Sequence, residues 1–414
     1  MSTGAGVGTG TGTVRSVEVY RSVPRYLATR VLSTALPRVS STSAAPLRLT
    51  RGRGPRRPGP RWGRVRPRLA GICGSDLSTI AGTSSLYFSP LVSLPFTPGH
   101  EVVGDLLDDV EDLPAGTRVV LDPLLTCIPR GLDPCGACRD GSRGRCDRIT
   151  VGHLSPGLQT GFCADTGGGW SDRLVAHRSQ LHPVPDDLPD ERAVLVEPLA
   201  CAIHTALRLA PRQGDHVLVV GAGAVGLFTV LALRAFTQAA RVTVVAKHPR
   251  QATLATALGA TDVVSPRDAL TGVRRSTRAL RVQPEQGSAY LLGGVDAAVD
   301  CAGSRAALDT ALRLTRAGGR VVLSAMPPAG VDLSPVWFRE LEVVGSYATG
   351  QARVEGDEPR SSFDLAMGLA RDAPLDEVAQ SGYPLERWRE ALEHAGSAGS
   401  LGTVKVHFDL RETR

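Results

Sequence analysis

The sequence predicts an α/β protein in two parts, a β-rich, barrel-like unit and a doubly wound parallel sheet. Three observations lead there. From about Val14 to Val184 the chain is a run of short strand-like pieces broken by Gly and Pro, with scarce helical periodicity. From His216 to Ala325 buried strands alternate with helices, the pattern of parallel strands joined by crossovers. At the head of that alternation stands a Gly-rich turn, GAGAVG at 221–226.

In chain order, VRSVEVY, LRLT, WGRVRPRLAGI, HEVVGDL, TRVVLDP and SDRLVAH read as strands of the first part. Near Asp190 the character changes, and ERAVLVEPLACAIHTALRLA carries apolar residues at the spacing of one or two helices. HVLVV (216–220) reads as a buried strand, AVGLFTVLALRAF as a helix, RVTVVA (241–246) as a strand and RQATLATALGA (250–260) as a helix. A short strand at DVV precedes a poorly patterned, Arg-containing stretch from 266 to 292. Strand DAAVDCA, helix RAALDTALRLT and strand GRVVLSA complete the alternation. The tail reads as helical pieces around 361–371 and 385–395 and a final strand, GTVKVHF.

Composition narrows the function classes. The 414 residues are 42% hydrophobic and 21% charged, ordinary for a globular chain with a sizeable core. No apolar run reaches the ~18–20 residues of a membrane span. The opening MSTGAGVGTGTGT lacks the apolar core of a secretory signal, so residues 1–13 are expected to be a disordered tail and the protein cytoplasmic. Of 47 basic residues only Lys247 and Lys405 are lysine. The densest basic stretch, residues 51–68, holds eight arginines but one aromatic, Trp62, and apolar strand-like sequence flanks it. It is expected to be a solvated loop and edge strand rather than a nucleic-acid site.

The cysteines carry more information. Cys127, Cys135, Cys138 and Cys146 lie in one short window, and clustered cysteines in such a chain read as metal ligands. Cys135 and Cys138 have ligand spacing, and seven residues separate Cys138 from Cys146. Cys127 is eight positions ahead of Cys135, so a loop with Pro129, Gly131 and Pro134 must fold back for it to join. Four thiolates close a coordination shell, which makes this a structural zinc site. Cys73 in GICGSD and His100 in PGHEVVG are a second pair of the type zinc prefers, with Glu101 and Glu197 as the candidates to complete a catalytic sphere. Cys163, Cys201 and Cys301 read as small buried residues.

In its strand–turn–helix setting, GAGAVG reads as a dinucleotide site. Gly221 permits the tight turn, Gly223 lets a pyrophosphate approach the backbone, and Gly226 lets helix and strand pack closely. The next strand ends at Ala246, where an NAD site usually places an acid about 20 residues on. Lys247, His248 and Arg250 follow instead, a cluster that suits a 2′-phosphate, so NADP(H) is expected over NAD(H).

The ordered series GICGSD, PGHEVVG, the four-cysteine window, VEPLA, GAGAVG and AGGRVVLSAMP resembles the medium-chain dehydrogenase/reductase superfamily, on its zinc-dependent alcohol, polyol and threonine dehydrogenase side. The resemblance implies a GroES-like catalytic domain from residues 14–198 and 345–414, with the zinc lobe at 127–146, and a Rossmann domain at 199–344. It also implies a cleft between them, a small-molecule substrate and a homodimer or homotetramer. By the same resemblance Cys73 and His100 match the catalytic zinc ligands. Glu101 matches the acid that binds the metal or lies behind it. Glu197 matches the glutamate of polyol and sugar dehydrogenases, and Ser75 the hydroxyl that passes on the substrate's proton. Asp76 supports the loop. The chain departs from many relatives at position 78, where Ser78 replaces a relay histidine, and in an added segment at 155–170 that lines the cleft or loops over the surface. The expected reaction is hydride transfer between a nicotinamide cofactor and a secondary alcohol or ketone, a polyol, sugar or amino-alcohol. The rival readings are a metal-free NADPH-dependent reductase of activated double bonds and a non-catalytic NADP-sensing or nucleic-acid-binding protein.

Overall fold

The computed structural model describes residues 13–33, 39–352, 354, 360–376, 378 and 380–411. Residues 1–12, most of the expected tail, lie outside them. Among the described residues the β-rich part is a seven-stranded sheet. Its path runs Gln380–Tyr383, Lys405–Asp409, Trp62–Gly71, Val102–Leu106, Arg118–Leu121 and Leu181–Pro183, and Leu174–His177 also pairs with Trp62–Gly71. Trp62–Gly71 is the hub, with Trp62, Val65 and Leu69 almost fully buried. The C-terminal strand Lys405–Asp409 lies antiparallel beside it. Residues far apart in the chain therefore share this sheet.

The second part is a six-stranded sheet, every pair parallel. Its order is Asp262–Val264, Arg241–Val245, His216–Val220, Val295–Asp300, Thr315–Leu323 and Glu342–Gly345. Sequence order reverses between His216–Val220 and Val295–Asp300, and open α/β sheets bind ligands at such a switch point. The two parts share one apolar core. Leu69, Val103 and Val120 of the first sheet join Val217, Val219 and Val299 of the second in a single cluster. Helix Val196–Leu209 sits in that seam, packed on helices Ala224–Phe236 and Ser362–Asp372. Full burial of residues such as Leu199, Ile203 and Phe228 stabilises the seam by roughly 1.5–3 kcal/mol per side chain.

Several elements were not apparent from the sequence. Helix Val23–Leu32 interrupts the β-rich part. It turns Thr29 inward, where the hydroxyl donates to the Arg25 and Ala44 carbonyls, and leaves Val23, Leu27 and Val31 exposed, so its polarity pattern is inverted. The unpatterned stretch contains helix Ala269–Thr277 and a hairpin of Leu280–Val282 with Tyr290–Leu292. Strand Gln380–Tyr383 is held by pairing with Lys405–Asp409. Five of the eight arginines of the basic stretch have acidic partners within the fold: Arg57 and Arg64 pair with Asp108, Arg61 with Glu111, Arg66 with Asp105 and Arg68 with Asp190. No helix among the described residues is long and apolar enough to cross a membrane.

Candidate functional site

Cys73 leaves the hub strand and caps helix Gly74–Ile80, while His100 and Glu101 enter the neighbouring strand Val102–Leu106. Antiparallel pairing of those strands brings the three side chains together, and their ligand atoms all lie within 4.8 Å of one another. Gly99 makes the approach possible: its φ is +95°, and a side chain there would strike Trp170. Asp76 holds the loop, as expected, by accepting the Cys73 N–H at 3.0 Å. Its other oxygen lies 3.5 Å from His100 Nδ1, and neither atom has a hydrogen-bond partner although both are buried. This is the carboxylate–imidazole arrangement that aims the remaining ring nitrogen at a metal. Burial opposes charge on His100, but Asp76 and then Cys73 outweigh it and hold the imidazole well above its ordinary pKa.

Glu101 does not stand alone. Its carboxylate forms an ion pair with Lys405 from the C-terminal strand, and both side chains are almost wholly buried. Gly71 leaves room for this pair, because a methyl there would collide with Glu101. Glu197, in the first turn of Val196–Leu209, is buried and lies outside the group of three. Burial raises its carboxyl to about 7, with His100 opposing and Glu101 adding to that rise. Cys201, one turn on, donates its thiol to Glu197 Oε1 at 3.3 Å. Cys201 is only half-buried and touches the site, so it is not the buried filler that the sequence suggests.

Ser75 is exposed at the rim. Ser78, at the place of the relay histidine, donates to the Ser75 carbonyl at 3.1 Å and lies 3.2 Å from the Ser84 hydroxyl. The 155–170 segment lines the site rather than looping over the surface. Phe162 is buried with its ring centroid 6.0 Å from that of His100, and Gln159 accepts the Tyr347 hydroxyl at 3.3 Å. Gln159 and Tyr347 carried no local motif.

In the four-cysteine lobe all four sulfurs lie within 4.8 Å of one another. Cys127 does fold back: the Arg130 N–H bonds the Thr126 and Cys127 carbonyls, the Leu132 N–H bonds the Cys127 carbonyl, and Gly131 takes a φ of +68°. Cys127 and Cys146 sulfurs stand 3.6 Å apart, and all four cysteines are unoxidised. Zinc–sulfur bonds of about 2.3 Å in a tetrahedron put sulfurs close to that separation. The Asp147 N–H bonds Cys135 and pulls its thiol down to about 6, whereas burial pushes Cys146 up.

At the parallel sheet's switch point Gly221 has φ +105°, and a side chain on Gly226 would strike the Gly221 carbonyl, so the helix packs tightly on the turn. Nothing lies within 4 Å of a methyl placed on Gly223, leaving the start of helix Ala224–Phe236 open to a phosphate. Beyond Arg241–Val245, Ala246 is buried, Lys247 is exposed, and His248 and Arg250 are half-buried. A methyl on Gly399 would come within 2.8 Å of the His248 ring, so the C-terminal turn sits against this corner. Asp300, missed in the sequence, is buried at the end of its strand and caps the next turn by accepting the Ala302 and Gly303 N–H groups at 3.0 Å each.

Comparison with known proteins agrees with this geometry. The alcohol dehydrogenase GroES-like domain matches residues 59–186, and the zinc-binding dehydrogenase domain matches 224–361. L-idonate 5-dehydrogenase of Vitis vinifera is 30% identical over 359 residues, spanning 85% of this chain and 89% of that protein. Sorbitol dehydrogenase of Arabidopsis thaliana is 31% identical over 357 residues, with the same two shares, 85% and 89%. Among solved structures, L-idonate 5-dehydrogenase of Escherichia coli K-12 superposes with a TM-score of 0.68 at 21% identity, covering 96% of this chain and 98% of that one. A Sinorhizobium meliloti 1021 protein bound to NADP gives 0.69 at 24% identity, covering 96% and 99%.

The chain belongs to the zinc-dependent medium-chain dehydrogenases, with a GroES-like domain and a Rossmann-type domain. It is a zinc-dependent alcohol dehydrogenase-like oxidoreductase that uses a nicotinamide cofactor.

Proposed function

We propose that the protein interconverts a secondary alcohol and a ketone on a polyol, sugar or amino-alcohol, with NADP(H) preferred over NAD(H). The observation that carries the reading is the donor set of half-buried Cys73 and buried His100 and Glu101, with buried Glu197 beside it. Such a set fits zinc: a thiolate and an imidazole are its preferred ligands, and a buried donor cluster with no cation is costly. Cys73, His100 and Glu197 would hold the ion, with Glu101 within reach. Zinc and the Lys405 cation would offset most of the negative charge of Cys73, Asp76, Glu101 and Glu197. Zinc held there acts as a Lewis acid on the substrate oxygen, and the nicotinamide supplies or accepts the hydride.

The chain's own residues do the rest. Asp76 fixes the His100 ring, and Ser75 Oγ exchanges the proton of the substrate hydroxyl. With Ser78 turned to the Ser75 carbonyl, that proton passes to water at the exposed rim rather than to an imidazole. Gln159 and Tyr347 offer polar groups on one wall, and relatives named for idonate and sorbitol favour a polyhydroxylated substrate. Lys247, His248 and Arg250 favour the phosphorylated cofactor, and no carboxylate stands at Ala246 to repel it.

A second copy is part of the reading. Edge strand Glu342–Gly345 is unpaired on its outer side among the described residues. Exposed Leu333, Trp337, Phe338 and Val343 surround it, a surface suited to a homodimer.

The test is a panel of secondary alcohols and ketones with each cofactor, run on protein of known zinc content and followed by reduced-nicotinamide absorbance. Polyol turnover that tracks zinc and prefers NADP(H) is expected. Full turnover of activated double bonds by metal-free protein would overturn the reading.

A further inference from the structure

Helix Val196–Leu209 presents Glu197, Cys201 and Thr205 at four-residue intervals, the spacing that lines side chains along one face. Glu197 and Glu101 are held differently. Glu101 is paired with the Lys405 cation, whereas Glu197 forms no ion pair among the described residues and accepts the Cys201 thiol at 3.3 Å. Cys201 is fixed in its turn, because its carbonyl accepts the Thr205 hydroxyl at 2.9 Å.

Thr205 is 1% exposed and sits among Ala202, Ile203, Ala206 and Leu209, all almost fully buried. A hydroxyl in such surroundings is costly unless it is hydrogen-bonded. Besides the Cys201 carbonyl, Thr205 Oγ1 meets the hydroxyls of Ser324 and Ser346, at 3.0 Å each. A threonine hydroxyl has one proton, and a carbonyl can only accept. The Thr205 proton therefore goes to Cys201, and both serines donate to Thr205.

The serines identify what this ladder joins. Ser324 follows strand Thr315–Leu323, and its N–H donates to the Asp300 carbonyl at 3.0 Å. Ser346 follows strand Glu342–Gly345, and its N–H donates to the Leu323 carbonyl at 2.9 Å. Both lie at the C-terminal ends of parallel strands, the edge on which open α/β sheets seat their ligands. One buried hydroxyl thus stands between the cofactor edge and the carboxylate beside the metal donors. Arg208 docks the same helix separately, donating to the Gly345 carbonyl at 3.2 Å, so loss of the Thr205 hydroxyl opens the ladder without undocking the helix.

We propose that Thr205 is a positioning residue: its hydroxyl ties helix Val196–Leu209 to the C-terminal ends of two parallel strands and, through Cys201, registers the Glu197 carboxylate against the edge that carries the cofactor. The proposal rests on Glu197 joining Cys73 and His100 around zinc. It gives the metal sphere and the hydride donor a common anchor, which matters because a misplacement of about 1 Å can cost a hundredfold in rate.

The experiment uses full-length, zinc-loaded protein, and the zinc that Cys73→Ala loses defines the metal to be followed. Thr205→Val keeps the shape and removes the hydroxyl; Thr205→Ser keeps the hydroxyl; Cys201→Ala cuts the ladder one rung nearer Glu197. Thr205→Val is expected to weaken that zinc about tenfold in competition with a chelator, and Thr205→Ser to recover most of the loss. Because the rungs act in series, Cys201→Ala added to Thr205→Val should cost little beyond the larger single loss. At saturating zinc, kcat of Thr205→Val should fall about tenfold while KM for NADPH is unchanged. Unchanged zinc affinity in Thr205→Val, losses that multiply in the double variant, or a Thr205→Ser no better than Thr205→Val would each overturn the proposal. If Thr205→Val does not fold, Cys201→Ala carries the test, and unchanged zinc affinity there overturns it. A wild-type protein holding no more zinc than Cys73→Ala would remove the metal assignment itself, and the zinc count tells that failure from a broken ladder.

Discussion

The two ligand clusters of this molecule are built from overlapping chemistry and suit opposite tasks. In the lobe, four sulfurs close on one another and their partners are backbone N–H groups: Cys135 bonds Cys127 Sγ at 3.3 Å, and Arg148 bonds Cys146 Sγ at 3.5 Å. At the Cys73 site one sulfur meets one imidazole and one carboxylate, with Glu197 outside that group, and charged side chains, Asp76 and Lys405, stand behind them. A shell of four thiolates leaves no position for a substrate, whereas a mixed set at an open rim does. Their surroundings follow the same division. The lobe is organised by local turns, and the catalytic site by strands that are distant in sequence.

The sharpest way to break this comparison is to remove one sulfur from each cluster. Cys73→Ala is expected to lower turnover by roughly a thousandfold or more, to cost one zinc per chain and to leave cofactor affinity unchanged. Metal analysis, steady-state rates and fluorescence titration with NADPH check the three parts. Retained turnover in the zinc-depleted variant would move the chemistry elsewhere.

A smaller but still large effect is expected at Lys405. Lys405→Met leaves Glu101 as a buried, unpaired anion, which should destabilise the fold by about 3–5 kcal/mol in urea. Adding Glu101→Gln should return most of it. If the single variant costs under about 1 kcal/mol, the ion pair is not the backing of the site that the geometry describes.

Acid should next separate the sheet that carries the site from the metal itself. His177 and His407 are buried in or beside the seven-stranded sheet, and burial holds each at about 4, below the ordinary 6.5. The unfolded chain therefore binds more protons than the folded one between those values. Stability from these groups is complete above about pH 6.5 and is lost as pH falls toward 4. Each contributes at most about 3–4 kcal/mol over that window. His407→Gln should flatten the acid limb of a denaturation-versus-pH curve, and an unchanged slope would reassign the acid sensitivity.

The smallest expected effect is on cofactor choice. Lys247→Ala should weaken NADPH about tenfold and leave NADH unaltered, because one exposed cation contributes a modest share of phosphate binding. Equal losses for both cofactors would place Lys247 outside the 2′-phosphate corner.

Much of the site was legible because its signals are local. GICGSD, GHE and GAGAVG each put their chemistry within a few residues, and the turns they encode depend on backbone conformations visible as glycine. Lys405 was not legible as a partner of Glu101, although its rarity among arginines marked it, because only the sheet brings the C-terminal strand beside the hub. Helix Val23–Leu32 was missed for a different reason. Pattern reading assumes that apolar residues face inward, and here Thr29 is the buried residue while Leu27 and Val31 are exposed.

The sequence by itself determined the alternation of elements, the Gly-rich turn and the residues proposed as ligands, and it places Ser78 where many relatives have a relay histidine. Tertiary structure alone decided that Cys127 closes the lobe, that Cys201 bonds Glu197 and that Lys405 backs Glu101. The reason is physical. Periodicity and spacing report which face of an element is buried, but the charge or carbonyl that meets that face comes from strands and turns whose proximity is set by the packing of the whole chain.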